Sequence, residues 1–414
     1  MKRKLLSLAA ITMSVSAFAG GFKIGLQGQK QIGMASCGTG LALDASSIYF
    51  NAGALAFTPN QITIGGTGLM PRTQYKDVAT QIVTNAIVKT YSPFAAYASY
   101  GVNKKLVVGL GVYTPFGSGV AYPTGWTGRY ALTEIALQTI FIKPTVSVKL
   151  NDNLSLGAGL AYSTGSVNLE KDIPLQGQAF TVPGHLQLNG KANGAGFDAG
   201  IYYTKDQFSI GASYRNKLNM NVKNGAANFT NMPISVKDSF PSGNFTSTLA
   251  LPGEFSIGIG YKATPKLLIA ADFNYTLWSS YDTLSFDFEK NTSNLLDVNE
   301  ARLYSNAFAF RVGAQYAYSN KLNLRAGLFS DLTPISNGFV GPELPDANKL
   351  GATIGASYLV GRNLSIDASV LYENVEKRTQ TNIATNMTGT FASKAIATGI
   401  GISYRFNNPK PKTN

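Results

Sequence analysis

Strict alternation of apolar and polar residues, repeated along most of the chain, is the feature that most constrains its fold. From residue 140 to 150 the even positions carry Ile, Ile, Pro, Val, Val and Leu, whereas the odd positions from 139 to 149 carry mainly Thr, Ser and Lys. A period of two fits a strand, whose successive side chains point to opposite faces, and does not fit a helix. The alternation resumes after the turn at residues 151–153, which predicts an antiparallel hairpin.

Fourteen such segments can be counted between residues 59 and 406. The connections alternate between short turns, such as residues 103–105, and long ones, such as residues 171–193 and 223–246. An even number of strands with this asymmetry is typical of bacterial outer-membrane barrels, and the last strand ends on the aromatic Phe406. We therefore predict an all-β fold, a transmembrane antiparallel β-barrel of 14 strands. A soluble β-sandwich also alternates, but it does not explain export or the aromatic strand ends.

The first 19 residues have the composition of a signal peptide. Basic residues 2–4 precede an apolar stretch at 5–15, and Ala17-Phe18-Ala19 places small residues where signal peptidase reads them. We expect residues 1–19 to be cleaved, residues 407–414 to form a short polar tail, and the protein to lie in the outer membrane of a Gram-negative bacterium. Its expected partners there are outer-membrane lipid, lipopolysaccharide and, during biogenesis, the barrel-assembly machinery.

A single cysteine and a single histidine limit the chemistry of the chain. An intrachain disulfide is impossible, and no metal site or cofactor is expected, because Cys/His clusters cannot form. His185, in a polar stretch with Gly and Pro, is predicted to lie in a loop, and no enzyme is expected. The net charge of +13 is scattered along an exported chain, so nucleic acid is not an expected partner.

Charged residues on the strands are predicted to face the lumen, because a charge on the lipid face costs about 2–4 kcal/mol at the membrane midplane. This register assigns Arg215, Lys217, Arg311 and Arg325 to the lumen. Such cations can bind a carboxylate, arginine in a bidentate manner, or can pair with acidic lumen residues. Both interpretations are open.

Residues 20–58 precede the first strand and are long enough to plug a barrel. They contain Asp44-Ala45-Ser46 and then Tyr-Phe-Asn-Ala-Gly-Ala-Leu at residues 49–55. With these motifs the segment resembles the hatch of the FadL family, outer-membrane channels for long-chain fatty acids and other hydrophobic compounds. Ala52 stands where that family usually has proline. Further segments look like family sequence and follow in the family's order: residues 111–117, 125–130, 251–252, 278–281, 325–327 and 344–346.

The resemblance implies a 14-stranded barrel, residues 59–406, with a mostly helical N-terminal hatch, residues 20–58, in its lumen. It also implies that hydrophobic ligands are captured by external loops, held in an internal pocket and released when the hatch shifts, in part laterally beside a kinked third strand. The hatch residues that match family positions or flank them are Gly33, Asp44, Ser46, Asn51, Ala52 and Gly53. The candidates for the lateral opening are Gly109, Gly111, Pro115 and Gly117.

Candidate ligand contacts follow from the same picture. A long acyl chain needs an apolar pocket and its carboxylate needs a cation or amide donors. The candidate head-group residues are Arg129, Arg215, Lys217, Arg311 and Arg325, and the candidate pocket walls are Phe141, Phe329 and Leu371. External capture is expected at residues 173–175 and at Ala179, Phe180, Val182 and Pro183.

The expected function is passive uptake of hydrophobic small molecules, with long-chain fatty acids as the first candidate. An aromatic hydrocarbon channel of the same fold is an alternative, because both ligands need an apolar pocket. A structural or adhesive barrel is another. A barrel lipid hydrolase, which would have to use His185, is the last.

Overall fold

A β-sheet that closes on itself forms the wall of this protein, as seen in a computed structural model that describes residues 20–175 and 182–406. The predicted signal peptide, the tail at 407–414, Ala179 and Phe180 lie outside the described residues. The strands are β1 (Gln61–Asp77), β2 (Val83–Asn85), β3 (Phe94–Gly101), β4 (Leu106–Tyr113), β5 (Gly117–Ala121), β6 (Glu134–Lys149), β7 (Leu154–Ile173), β8 (Gly184–Lys205), β9 (Phe208–Arg215), β10 (Leu218–Thr230), β11 (Gly243–Leu251), β12 (Glu254–Thr264), β13 (Leu267–Thr276), β14 (Thr283–Phe288), β15 (Val298–Ala301), β16 (Ala307–Ala317), β17 (Leu322–Asp331), β18 (Lys349–Val360), β19 (Leu364–Thr381) and β20 (Thr388–Arg405).

These segments make fourteen wall strands, as predicted. Five wall strands consist of two segments in line, namely β4 with β5, β9 with β10, β11 with β12, β13 with β14 and β15 with β16. The short β2 only extends the pairing of β1 at its far end. The barrel closes where β1 pairs with β20, from Gln61 opposite Arg405 to Asp77 opposite Gly389. Every pairing between these strands is antiparallel. Each wall strand pairs with the wall strands before and after it in the chain.

The two rims differ in the length of their connections. We call the rim with the short turns the inner rim. The chain also enters and leaves the barrel there, and the Phe406 amide donates to the Asn60 carbonyl over 2.8 Å. The outer rim carries the long loops. Two of these connections are shorter than the sequence suggested, because the strands beside them are longer: β7 ends at Ile173, β8 begins at Gly184, β10 ends at Thr230 and β11 begins at Gly243.

The alternation predicted from the sequence separates a lipid face from a lumen face. Leu160, Ile354 and Ile400 are among the exposed apolar side chains of the outer face, whereas Arg311, Arg325 and Asp367 are buried in the lumen. Within residues 20–175 and 182–406, no helix is long and apolar enough to cross a membrane.

The alternation reverses between β9 and β10, which differs from the continuous alternation predicted from the sequence. Lys217 is exposed, whereas Leu218, Met220 and Val222 are buried, so the predicted lumen position of Lys217 is wrong. Asn216 causes the shift: its backbone amide donates to the Phe197 carbonyl over 3.0 Å and its Oδ1 accepts from the Phe197 amide over 2.6 Å. Asn216 thus makes both hydrogen bonds to the backbone of Phe197, one of them with its side chain. As in a β-bulge, the side chains that follow point to the opposite face.

Residues 20–58 fill the inner half of the lumen and form what we call the plug. The plug is less helical than expected, with α1 (Gln29–Ile32), α2 (Ser47–Phe50) and a 3-10 turn at Ala52–Phe57. Because so little of it is helical, most of its backbone donors and acceptors need partners elsewhere.

Charged and polar side chains of the wall supply many of these partners. Asp272 accepts from the Gly38 and Thr39 amides over 2.9 and 2.8 Å. The guanidinium of Arg215 donates to the Tyr49 carbonyl over 2.8 Å. Other contacts of this kind are Arg311 to the Ala35 carbonyl, Lys143 to the Ile48 carbonyl, Ser213 to the Phe50 carbonyl and Ser155 to the Gly53 carbonyl.

A buried ion cluster fixes the plug to β19 and β20. The ammonium of Lys30 lies 3.2 Å from Asp44 and 3.6 Å from Asp367, and it donates to Ser403 over 3.2 Å. Burial by itself would raise the pKa of the Asp44 carboxyl, but Lys30 and Ser46 more than offset burial and hold that pKa below its usual range. Asp44 therefore stays ionised inside the barrel, where its negative charge offsets the positive charge of Lys30.

Asn51 fixes the turn that begins at Ala52. Its Oδ1 accepts from the Gly53 amide over 2.9 Å, and its Nδ2 donates to the Thr39 and Ile201 carbonyls over 2.9 Å each. Ala52 is the first residue of the 3-10 turn, a position where proline is tolerated because the amide has no partner within the turn. The cap made by Asn51 thus holds the turn without the rigid ring.

Glycines in both the wall and the plug allow the two backbones to come close. A side chain at Gly157 would place its Cβ 2.3 Å from the Ala52 carbonyl carbon, and one at Gly53 would lie 2.8 Å from the Gly200 oxygen. Backbone contact at this distance leaves no room for any other residue.

We predict that Gly157→Val leaves the barrel folded but displaces the plug, because overpacking against backbone costs about 1–3 kcal/mol. The expected result is a larger single-channel conductance in planar bilayers and faster proteolysis within residues 20–58. Gly66→Val is the matched control, since nothing lies within 4 Å of that added Cβ. Equal behaviour of the two variants would show that the contact at Gly157 does not hold the plug.

Candidate ligand-binding cavities

An apolar cavity of about 100 Å³ lies in the outer half of the lumen. The side chains around it come from β6, β7, β8, β10, β11 and β14, whose inward faces are apolar there rather than polar. The reversal at Lys217 contributes two of these residues, because it turns Met220 and Val222 inward. The apolar residues that line the cavity are Phe22, Ile135, Leu137, Val167, Leu169, Ala192, Met220, Val222, Leu249, Tyr281, Leu284, Phe286, Tyr304 and Leu344.

Phe22 of the plug closes the inner end of this apolar cavity. Its ring meets Trp278 edge-on at 4.8 Å between centroids and Tyr281 edge-on at 5.6 Å. Phe116 lies 6.1 Å away on the other side. Each aromatic pair of this geometry stabilises the structure by about 0.5–1.5 kcal/mol in addition to the contribution of the buried area, so the ring can be displaced at a moderate cost.

One cation, Arg302, borders the apolar cavity, and two carboxylates already bind it. Its Nη1 lies 2.5 Å from Glu343 and its Nη2 lies 3.3 Å from Glu300. Glu343 belongs to the loop at residues 332–348, which folds inward and also places Leu344 in the cavity wall. This cluster carries no spare positive charge for a ligand.

A second cavity of about 220 Å³ is lined by charged side chains and lies beside the plug. Residues 20–26 form a partition between the two cavities, because Phe22 faces the apolar cavity while its neighbours Gly21 and Lys23 face the charged one. The charged residues of this cavity are the cations Lys23, Arg215, Arg311 and Lys349 and the carboxylates Glu254, Asp331 and Glu373.

Most of these cations are paired. Lys23 forms an ion pair with Glu254, Arg311 lies 2.7 Å from Asp331, and Lys349 lies 3.2 Å from Asp346. Arg215 differs: in the part of the chain that the structure describes, no carboxylate lies within 4 Å of its guanidinium. It contacts the Tyr49 carbonyl and stacks 4.6 Å from the Tyr49 ring centroid.

The third wall strand is interrupted between β4 and β5, and the plug pairs with the gap. The Ile24 amide donates to the Pro115 carbonyl over 2.8 Å, and the Gly117 amide donates to the Phe22 carbonyl over 3.0 Å. Proline cannot donate to the ladder, so an interruption at this position is physically expected. Gly109 and Gly111 lie instead within the regular part of β4, where added Cβ atoms would meet Ile48 of the plug at 2.7 and 3.0 Å.

Four other residues predicted from the sequence to form the site line neither of the two cavities. Arg129 is in an outer loop, with its Nε 3.7 Å from Asp172 and its guanidinium 4.5 Å from the Tyr130 ring. Arg325 donates to Gln315 and Ser357. Gly33 packs on the wall at Gly355, and Ser46 bonds Asp44.

None of the three predicted wall residues lines the apolar cavity. Phe141 packs against Tyr113 and Phe116, whereas Phe329 and Leu371 border the charged cavity and pack on Leu26 of the plug. Sequence reasoning missed Met220, Val222 and Arg302. For the first two a signal existed, because the polar run at residues 215–217 interrupts the alternation.

His185 lies in β8 and not in a loop. Its Nδ1 is 3.1 Å from Asp172 and its Nε2 is 3.4 Å from Glu170. Both ring nitrogens therefore face carboxylates, whereas a hydrolase would direct one of them at a nucleophile.

Solved structures with the same fold include transporters of hydrophobic compounds. A FadL homologue of Pseudomonas aeruginosa superposes with a TM-score of 0.81 at 21% identity, over 94% of this chain and 100% of the other. The toluene transporter TodX of Pseudomonas putida gives 0.73 at 17% identity, over 92% and 99%. At these identities the likeness establishes the fold alone.

Sequence relatives align along nearly their whole length. An outer membrane protein of Neisseria meningitidis serogroup B is 25% identical over 91% of this chain and 90% of its own. A long-chain fatty acid transport protein of Salmonella typhi is 22% identical over 89% and 91%. The family described as outer membrane protein transport protein (OMPP1/FadL/TodX) matches residues 10–406. The chain therefore belongs to this family of outer-membrane transport channels for hydrophobic compounds.

Proposed function

We propose that the protein takes up long-chain fatty acids across the outer membrane, down their concentration gradient. The observation that carries this proposal is the pair of adjoining cavities, one apolar and one charged, on either side of Phe22 and Lys23. An acyl chain fits the first and a carboxylate fits the second. Relatives named as long-chain fatty acid transport proteins, aligned over about nine-tenths of this chain, support the same ligand.

Arg215 is the residue that we assign to the carboxylate head group. It lines the charged cavity, and among the described residues no carboxylate lies within 4 Å of its guanidinium, unlike Lys23, Arg311 and Lys349. A planar guanidinium can bind a carboxylate through two parallel hydrogen bonds. Its contact with the Tyr49 carbonyl also links ligand binding to the plug.

Phe22 has to move for such a ligand to bind. The cavities, of about 100 and 220 Å³, are each smaller than the ~300 Å³ at which ligand pockets usually begin. Displacement of the Phe22 ring joins them into one elongated pocket. The same movement pulls on the bonds of Phe22 and Ile24 to the gap in the third wall strand, which offers a lateral way out beside Pro115.

An aromatic hydrocarbon is the second candidate ligand. The only cation at the apolar cavity, among the described residues, is held by two carboxylates, so that cavity on its own suits a neutral molecule. A hydrocarbon would need no contact with Arg215.

We predict that Arg215→Gln weakens binding of a long-chain fatty acid by about tenfold or more, because a charge-assisted hydrogen bond contributes about 1.5–3 kcal/mol. Binding of the alcohol of the same chain length should stay unchanged. The measurement is equilibrium binding to the purified barrel in detergent. Arg325→Gln is the matched control, another lumen arginine, which does not line the cavity.

Two outcomes would contradict this assignment. An equal loss of acid and alcohol binding would mean that Arg215 only supports the plug. Unchanged acid binding, together with displacement by toluene, would favour the hydrocarbon channel.

We predict that Phe22→Ala speeds fatty acid entry into proteoliposomes roughly two- to tenfold, since it removes the aromatic contacts that hold the partition. Phe57→Ala is the control: Phe57 is a plug phenylalanine that packs on Tyr202 and borders neither cavity. Slower or unchanged entry in Phe22→Ala would show that the ring does not gate the path.

A further inference from the structure

A group of cations lies on the outer face of the barrel wall, on strands β1, β19 and β20, whose inner faces border the charged cavity. Arg72 on β1 stands directly opposite Lys394 on β20, and Asn374 on β19 flanks Lys394 on its other side. All three share the face of Ile396 and Tyr372, which are exposed apolar residues of the lipid side. Lys377 follows on β19 and borders the same shallow groove, of about 570 Å³.

The height of this group on the wall is that of lipid head groups. Arg72 follows Ile62, at the inner end of the apolar face of β1, by ten residues. This corresponds to ~33 Å along the strand and, at a tilt of ~40°, to ~25 Å across the membrane. The apolar band of an outer-membrane barrel is about 25 Å tall. The cations therefore begin where the band ends, at the rim with the long loops.

Nothing in the described protein neutralises these cations. Like charges directly opposite each other on neighbouring strands are destabilising. No carboxylate lies within 4 Å of Arg72, Lys377 or Lys394 in residues 20–175 and 182–406. The neighbouring Glu376 accepts instead from Asn348 over 2.9 Å. Three cations close together on a surface that faces lipid would be stabilised by an anion from outside the chain.

We propose that Arg72, Lys377 and Lys394 bind a phosphate group of lipopolysaccharide, the phosphorylated glycolipid of the outer leaflet. Basic groups at the level of the head groups attract anionic lipid, and arginine binds phosphate through two parallel bonds. Asn374 and Gln74, both on the groove, can donate to the sugar hydroxyls. Acyl chains of the same molecule lie along Tyr372, Ile396 and the apolar rows below. The site is separate from the transport path, because its side chains point away from the lumen.

The test is native mass spectrometry of the purified barrel with lipid A added, comparing Arg72→Gln/Lys377→Gln/Lys394→Gln with the wild type. We expect the variant to retain at least about tenfold less lipid A, since it lacks the three basic residues that attract the charged lipid. The matched control is Lys205→Gln/Lys262→Gln/Lys266→Gln, which removes the same charge from exposed positions at the inner rim. This control should bind as the wild type does. Folding of each variant is checked by its heat-dependent shift in gel mobility.

Separate arms identify what is bound. Dephosphorylated lipid A should bind the wild type as weakly as lipid A binds the triple variant, and inorganic phosphate at the same concentration should not displace lipid A. Equal retention by the triple variant and the wild type would overturn the proposal. So would equal binding of the phosphorylated and dephosphorylated lipids, or displacement by free phosphate, which would indicate a simple anion site.

Discussion

The structure depends on one constraint: a largely non-helical segment is buried inside a barrel, and each of its backbone polar groups must find a partner there. An unpaired group buried in this way would cost about 1–3 kcal/mol. The wall meets this demand with inward side chains such as Asp272, Arg215 and Lys143, which bind plug amides and carbonyls directly. The polar character of the inner lumen is therefore a consequence of the plug as much as of the membrane outside.

The same constraint divides the lumen in two. The cavity beside the plug is lined by charged side chains, whereas the cavity beyond Phe22 is lined mainly by apolar ones. The partition is thin and is held by aromatic contacts and two backbone bonds to the third wall strand. Arg215 contacts both the plug and the charged cavity, so a ligand that binds it acts on the element that closes the pocket.

The outer face follows a different rule. There the lipid dictates apolar side chains across the membrane, and charges are excluded until the head groups begin. Arg72 and Lys394 stand at that boundary, opposite each other and without a carboxylate from the described chain. Lys23, Arg311 and Lys349 in the lumen are paired with carboxylates inside the protein, whereas Arg72 and Lys394 face the surroundings and have no such partner within 4 Å among the described residues.

The sequence by itself determined the barrel, its fourteen wall strands and the burial of Arg311 and Arg325, because a period of two and the cost of a charge in lipid act residue by residue. It could not determine the lumen. A reversal at Asn216 turned Met220 and Val222 inward, and only the pairing of Asn216 with Phe197 across the wall decided this. The partition at Phe22 likewise arises from contacts between residues more than 200 positions apart, Phe22 with Trp278 and Lys23 with Glu254, and such contacts exist only once the barrel has closed around the plug.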